Sequence, residues 1–88
     1  MVWVDPSPYP SFPLPAGHAY AMDDGTIYTH SGVQVEDRQP IEYIQGKVGV
    51  TRDGRFGPLT ASAVGAFQRR HALTVDEQVG PRTWYALA

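Results

Sequence analysis

The sequence contains no cysteine. That rules out a disulfide framework and a thiol nucleophile. It says little about compartment, because extracellular proteins also fold without bridges. Charge is sparse: 18% of residues are charged, seven are Lys or Arg, and the formal net charge is −2. A phosphate-binding protein needs a basic footprint that this chain lacks, so nucleic acid is not an expected partner. No apolar run approaches the roughly 20 residues of a membrane span, so no membrane is expected either. The opening, MVWVDPSPYPSF, has neither the basic n-region nor the apolar h-region of a signal peptide. With 88 residues the chain is one small domain, and a core of that size supplies only about 3–5 kcal/mol without staples.

Proline is plentiful but unevenly placed. Pro6, Pro8, Pro10, Pro13 and Pro15 fall in the first fifteen residues, and only Pro40, Pro58 and Pro81 follow. Residues 1–15 therefore read as an extended linker or tail, with Trp3, Tyr9 and Phe12 available for docking. In residues 16–37, two short aromatic stretches, 18–22 and 26–30, flank Asp23-Asp24-Gly25. This lead-in reads as a β-hairpin or an irregular loop. Residues 38–88 read as helical. Ile41, Ile44 and Val48 have helical spacing, with Pro40 in a first turn and Gly49 at the left-handed position after the last turn. A second helix opens at Pro58, has Leu59, Ala63, Val64, Ala66 and Phe67 on its apolar side, and ends near His71. A third opens at Pro81 and carries Trp84 and Leu87.

Residues 41–63 repeat as 64–86 with a displacement of 23 residues. Gln45/Gln68, Thr51/Thr74, Asp53/Asp76, Gly57/Gly80, Pro58/Pro81, Thr60/Thr83 and Ala63/Ala86 are identical, while Ile41/Val64, Ile44/Phe67, Val50/Leu73 and Phe56/Val79 stay apolar. Each unit is a helix, a loop and the start of the next helix. Two units are too few for an open solenoid, so a compact pseudo-symmetric bundle is expected. In the repeated turn, Pro58 and Pro81 preset the backbone at the first helical position. Thr60 and Thr83 can reach orphan backbone donors. Asp53 and Asp76 can accept loop amides, and Phe56 and Val79 pin the loops to the core. Gly57 and Gly80 read as allowing a tight chain reversal, with positive φ the conformation that would demand glycine.

The ordered set Ile44-Gln45, Gly49-Val50, Asp53-Gly54, Phe56-Gly57-Pro58, Thr60, Ala63-Val64, Phe67-Gln68, Leu73, Val75-Asp76, Val79-Gly80-Pro81, Thr83-Trp84 and Leu87 resembles the three-helix type of peptidoglycan-binding domain. The resemblance covers about residues 38–88. It implies a non-catalytic wall-binding role, since that family is appended to cell-wall hydrolases of bacteria and phages. Residues 14–18 and 28–32 look like the lead-in of endolysins from phages that infect actinobacteria. Two positions depart from the family pattern: Ala72 and Glu77 stand where it often has glycine, which leaves the shape of the second loop and any ligand role of Asp76 open.

Other chemistry finds weaker support. His18 and His30 with Asp23 or Asp24 are residue types that bind zinc, but they show no recognised metal spacing. Ser31 follows His30 directly, is not in a nucleophile elbow, and in an extended segment would face away from it. A glycosidase needs two placed carboxylates in a cleft, which a bundle this small hardly builds. Arg69, Arg70 and His71 read as cations at a helix C-terminus. For a glycan or stem peptide, aromatics beside amides and a guanidinium are apt: Asp53, Gly54, Arg55, Phe56, Gln68, Trp84 and Tyr85 are the candidate ligand-binding residues, with Trp84 also a core candidate. Arginine's fork suits stem-peptide carboxylates.

The sequence therefore predicts a mainly α three-helix bundle with an N-terminal hairpin or irregular appendage. It would act as a monomer without catalytic residues, metal or cofactor. Its partners would be bacterial peptidoglycan and a linked or associated hydrolase. It would be made in the bacterial host cytoplasm and act at the cell wall. The competing expectation is a protein-interaction or pro-segment-like module docking on an enzyme.

Overall fold

The computed structural model of the protein describes residues 11–88. Of the proline-rich linker expected over 1–15, residues 1–10, with Trp3 and Tyr9, lie outside the described residues. The order of elements is β1 (Ala19–Tyr20), β2 (Thr29–His30), α1 (Val35–Val48), α2 (Pro58–Arg70) and α3 (Pro81–Leu87). The fold is mainly α, a three-helix bundle preceded by a small pair of strands.

Each helix boundary has a local cause. α2 and α3 open with proline at the first helical position, where no backbone donor is missed. α1 ends at Gly49 in the left-handed region, φ 84°, with its N–H on the Gln45 carbonyl. α1 begins at Val35, three residues before the expected boundary at 38, so Pro40 lies inside the helix and not in its first turn. Its missing N–H forfeits the bond to the Glu36 carbonyl. The extra turn is favoured by Glu36 and Asp37 at the positive end of the helix dipole, and Asp37 is held there by His30 at 2.9 Å.

The core gathers one face of each helix. Ile41 and Ile44 come from α1, Val64 and Phe67 from α2, and Trp84 and Leu87 from α3. Phe56 and Val79 reach in from the two loops, as their repeat positions suggest, and Tyr20 reaches in from β1. Trp84 is only 1% exposed, with Tyr43 at 5.1 Å and Tyr20 at 6.0 Å between ring centroids. Phe12 docks edge-on against both Tyr20 and Trp84. Leu59 departs from the expected apolar side of α2 and is 81% exposed, because its repeat position faces the loop groove and not the bundle.

The lead-in is strapped into the bundle. β1 and β2 pair in parallel, Ala19 with Thr29 and Tyr20 with His30, so the chain between them loops around and does not form a tight antiparallel turn. Tyr20 also exchanges backbone hydrogen bonds with Val79, at 3.1 and 2.8 Å. The Phe56 N–H donates to the Ser31 carbonyl at 2.9 Å. Phe56 and Val79 are repeat mates, so the lead-in grips the same position of both loops. Gly32 makes the closest approach: a Cβ there would lie 2.0 Å from the Gly54 carbonyl oxygen, at a φ of +99°.

Candidate functional site

Two buried glutamines build the loops. Gln45, on α1, has its side-chain nitrogen 2.8 Å from Asp53 Oδ1, 2.9 Å from the Arg55 carbonyl and 3.1 Å from Thr60 Oγ1. Its two amide hydrogens serve three acceptors, so one is shared. Its Oε1 accepts the Gly54 N–H at 3.0 Å. Gln68, on α2, does the same one unit later. Its nitrogen is 2.9 Å from Asp76 Oδ1, 2.8 Å from the Gln78 carbonyl and 3.1 Å from Thr83 Oγ1, and its oxygen accepts the Glu77 N–H at 3.0 Å. The backbone carbonyls of both glutamines take the N–H five residues on, from Val50 and Leu73. Both side chains are 1% exposed, so these bonds form where an unmet polar group would be costly. The amide orientation follows from the partners, with NH₂ toward carboxylate and carbonyl and O toward N–H.

The aspartates complete each loop. Asp53 Oδ1 accepts the Arg55 N–H at 2.9 Å and Asp76 Oδ1 the Gln78 N–H at 3.0 Å. The Arg55 amide, with help from the Gln45 side chain, holds the Asp53 carboxyl below the ordinary aspartate range. In the lead-in, the hydroxyl and amide of Thr26 lower Asp24 in the same way. The glycines expected to reverse the chain do not take positive φ. Gly57 (φ −106°, ψ −167°) and Gly80 (φ −92°, ψ −168°) are extended, as residues before proline prefer. The left-handed positions are Gly49 and Gly54 in the first unit and, in the same places, Ala72 (φ 56°) and Glu77 (φ 60°) in the second. The second loop thus keeps the shape of the first despite lacking glycine.

Outside each loop lies an open groove. The first, about 200 Å³, is lined by Val50, Thr51, Asp53, Arg55 and residues 57–60. The second, about 360 Å³, is lined by Leu73, Thr74, Asp76, Gln78 and residues 80–83, together with Ala72. Every lining residue of the first has its repeat mate in the second.

The structure sorts the candidate residues into three groups. Asp53 and Arg55 line the first groove, and Gly54 lies buried in the loop behind it. Phe56, Gln68 and Trp84 are 3%, 1% and 1% exposed, so they are corrected from ligand contacts to parts of the frame. Tyr85 is exposed, but it stands apart from both grooves and its hydroxyl accepts the Phe12 N–H at 3.0 Å. Sequence reasoning passed over Val50, Thr51 and Leu59 as groove walls and Gln78 and Arg82 in the second groove; the 23-residue repeat was the signal that pairs them.

His18 and His30 cluster with Asp37 and not with Asp23 or Asp24. His18 Nδ1 and His30 Nε2 are 2.9 Å apart, and His30 Nδ1 is 2.9 Å from Asp37 Oδ2. The carboxylate assigns a proton to His30 Nδ1, and His30 Nε2 and His18 Nδ1 share one hydrogen between them. Asp23 and Asp24 instead bond Gly25, Thr26 and Thr29. Among the described residues, no group of three or more His, Asp or Glu is arranged to hold a metal ion. The cluster ties the lead-in to α1.

Fold and grooves together define a small helical binding module built from two copies of one helix–loop unit. The family model described as "Putative peptidoglycan binding domain" matches residues 42–87, more than half of the chain, and the protein belongs to that family. Its domain is a non-catalytic binding module. The chain is also 37% identical over 70 residues to a methylenetetrahydrofolate–tRNA-(uracil-5-)-methyltransferase TrmFO of Deinococcus radiodurans. That similarity covers 75% of this chain but only 15% of the relative's length. No solved structure matches.

Proposed function

We propose that this module anchors a cell-wall hydrolase, linked to it or associated with it, to bacterial peptidoglycan. The observation that carries the reading is that the family match spans both loops and both grooves. Arg55 is the residue proposed to meet ligand at the first groove, with a guanidinium suited to a stem-peptide carboxylate. Asp53 and Gly54 hold the loop that presents it. The mechanism is local concentration: a tethered module of modest affinity raises the effective concentration of a hydrolase at its substrate. The five prolines in the first fifteen residues suit a junction to such a partner. The lead-in motifs favour a phage endolysin as the parent protein, made in the bacterial host cytoplasm and acting at the wall. The tRNA methyltransferase activity in the relative's name is not carried over, since the shared segment is a small part of that protein.

The test is co-sedimentation with purified insoluble peptidoglycan, using walls stripped of secondary polymers beside unstripped ones. Binding to stripped walls supports the reading. Binding only to unstripped walls redirects it to another wall polymer. A folded protein that sediments with neither overturns it in favour of a module that docks on another protein.

A further inference from the structure

We infer that the groove at residues 72–83 is a second binding site for the same carboxylate-bearing peptide, so that one chain carries two sites. This rests on the reading of the first groove as a peptidoglycan site. The argument begins with the frame. The hydrogen bonds around Gln68 copy those around Gln45 partner for partner, each within 0.1 Å. A frame copied so closely places the second loop's surface as the first loop's is placed, and the second groove is the larger of the two.

The surface chemistry is conserved in kind while its source moves. In the first groove the guanidinium comes from the loop, at Arg55, and the helix position holds Leu59. In the second the loop position holds Gln78, and the guanidinium comes from the helix position, at Arg82. Each groove thus carries one arginine and one aspartate whose Oδ1 is engaged by the loop. Among the described residues neither guanidinium has a hydrogen bond or salt bridge. Both side chains are exposed, and each fork is open to a carboxylate bidentately. The moved arginine implies that the two grooves seat the peptide in different orientations, which suits a polymer that presents its stems in more than one direction.

The experiment titrates the folded chain with a soluble disaccharide-peptide muropeptide and follows backbone amide shifts in the parent, in Arg82→Gln and in Arg55→Gln. Two sets of shifts are expected in the parent, one over residues 50–60 and one over 73–83. Arg82→Gln should remove the second set and leave the first, and Arg55→Gln should do the reverse. Amidating the peptide's terminal carboxylate should weaken both. On insoluble walls, Arg82→Gln should lower retention at least about tenfold, because loss of one of two linked sites forfeits avidity. Shifts confined to 50–60, with wall retention unchanged in Arg82→Gln, would overturn the second site and leave the proposed function standing. No shifts in either loop, together with no sedimentation, would remove both.

Discussion

Ala72 and Glu77 hold the left-handed backbone that Gly49 and Gly54 adopt in the first unit. A side chain there costs about 1–2 kcal/mol, partly offset by the greater unfolded-state freedom that glycine brings. Ala72→Gly should therefore raise stability by about 0.5–1 kcal/mol, read as a higher Tm. Gly57→Ala and Gly80→Ala should change stability by no more than about 0.5 kcal/mol, since both residues are extended and a Cβ at either meets nothing within 4 Å. Gly32→Ala is the opposite case. Its Cβ would collide with the Gly54 carbonyl at a left-handed φ, and a loss of about 3 kcal/mol or more is expected in denaturant melts. Asp53 supplies part of the acid-side pH dependence, beside Asp24. The Asp53 carboxyl is held below its ordinary value by the Arg55 amide and the Gln45 side chain. The stability it contributes is present above the unfolded aspartate value, about 3.9, and is lost as pH falls through the lower folded value. Asp53→Asn should flatten that acid limb, and an acid limb identical to the parent's would rule the linkage out.

At the scale of elements, the helix starts were legible because proline and glycine act locally. Pro58 and Pro81 open α2 and α3, and Gly49 closes α1. The 23-residue displacement also revealed the pairing of loops. What stayed hidden depended on contacts between distant residues. Nothing local marks Gln45 as the hub of residues 50–60, and an amide in a helix reads as solvent-facing until its partners are in place. The early start of α1 was missed for the same reason, since Asp37 is fixed by His30 from another element. Of the candidate site, Asp53 and Arg55 were found at the groove, whereas Phe56 and Trp84 look alike to a sugar platform and to a core. The lead-in's grip on Phe56 and Val79 gives a further prediction. A fragment of residues 34–88 keeps all of α1 but loses Tyr20, Gly32 and both sets of backbone bonds, and should melt well below the full chain or fail to fold. Equal melting by circular dichroism would show the lead-in to be dispensable.

Across the whole molecule, α2 belongs to both units. Thr60 near its start caps the first glutamine network and Gln68 near its end centres the second, about 12 Å apart along the helix axis. Each network is thus fixed to the same helix, so an opening that frays α2 loosens both loops together. Amide exchange at Gly54 and Glu77, both donors to a glutamine oxygen, should accordingly share one opening free energy and not two. Gln68→Ala should speed exchange at Gly54 as well as at Glu77, although Gly54 makes no bond to the altered side chain. A wall-bound chain would then protect both loops against proteases when only one groove is filled, which makes resistance to digestion a property of the pair.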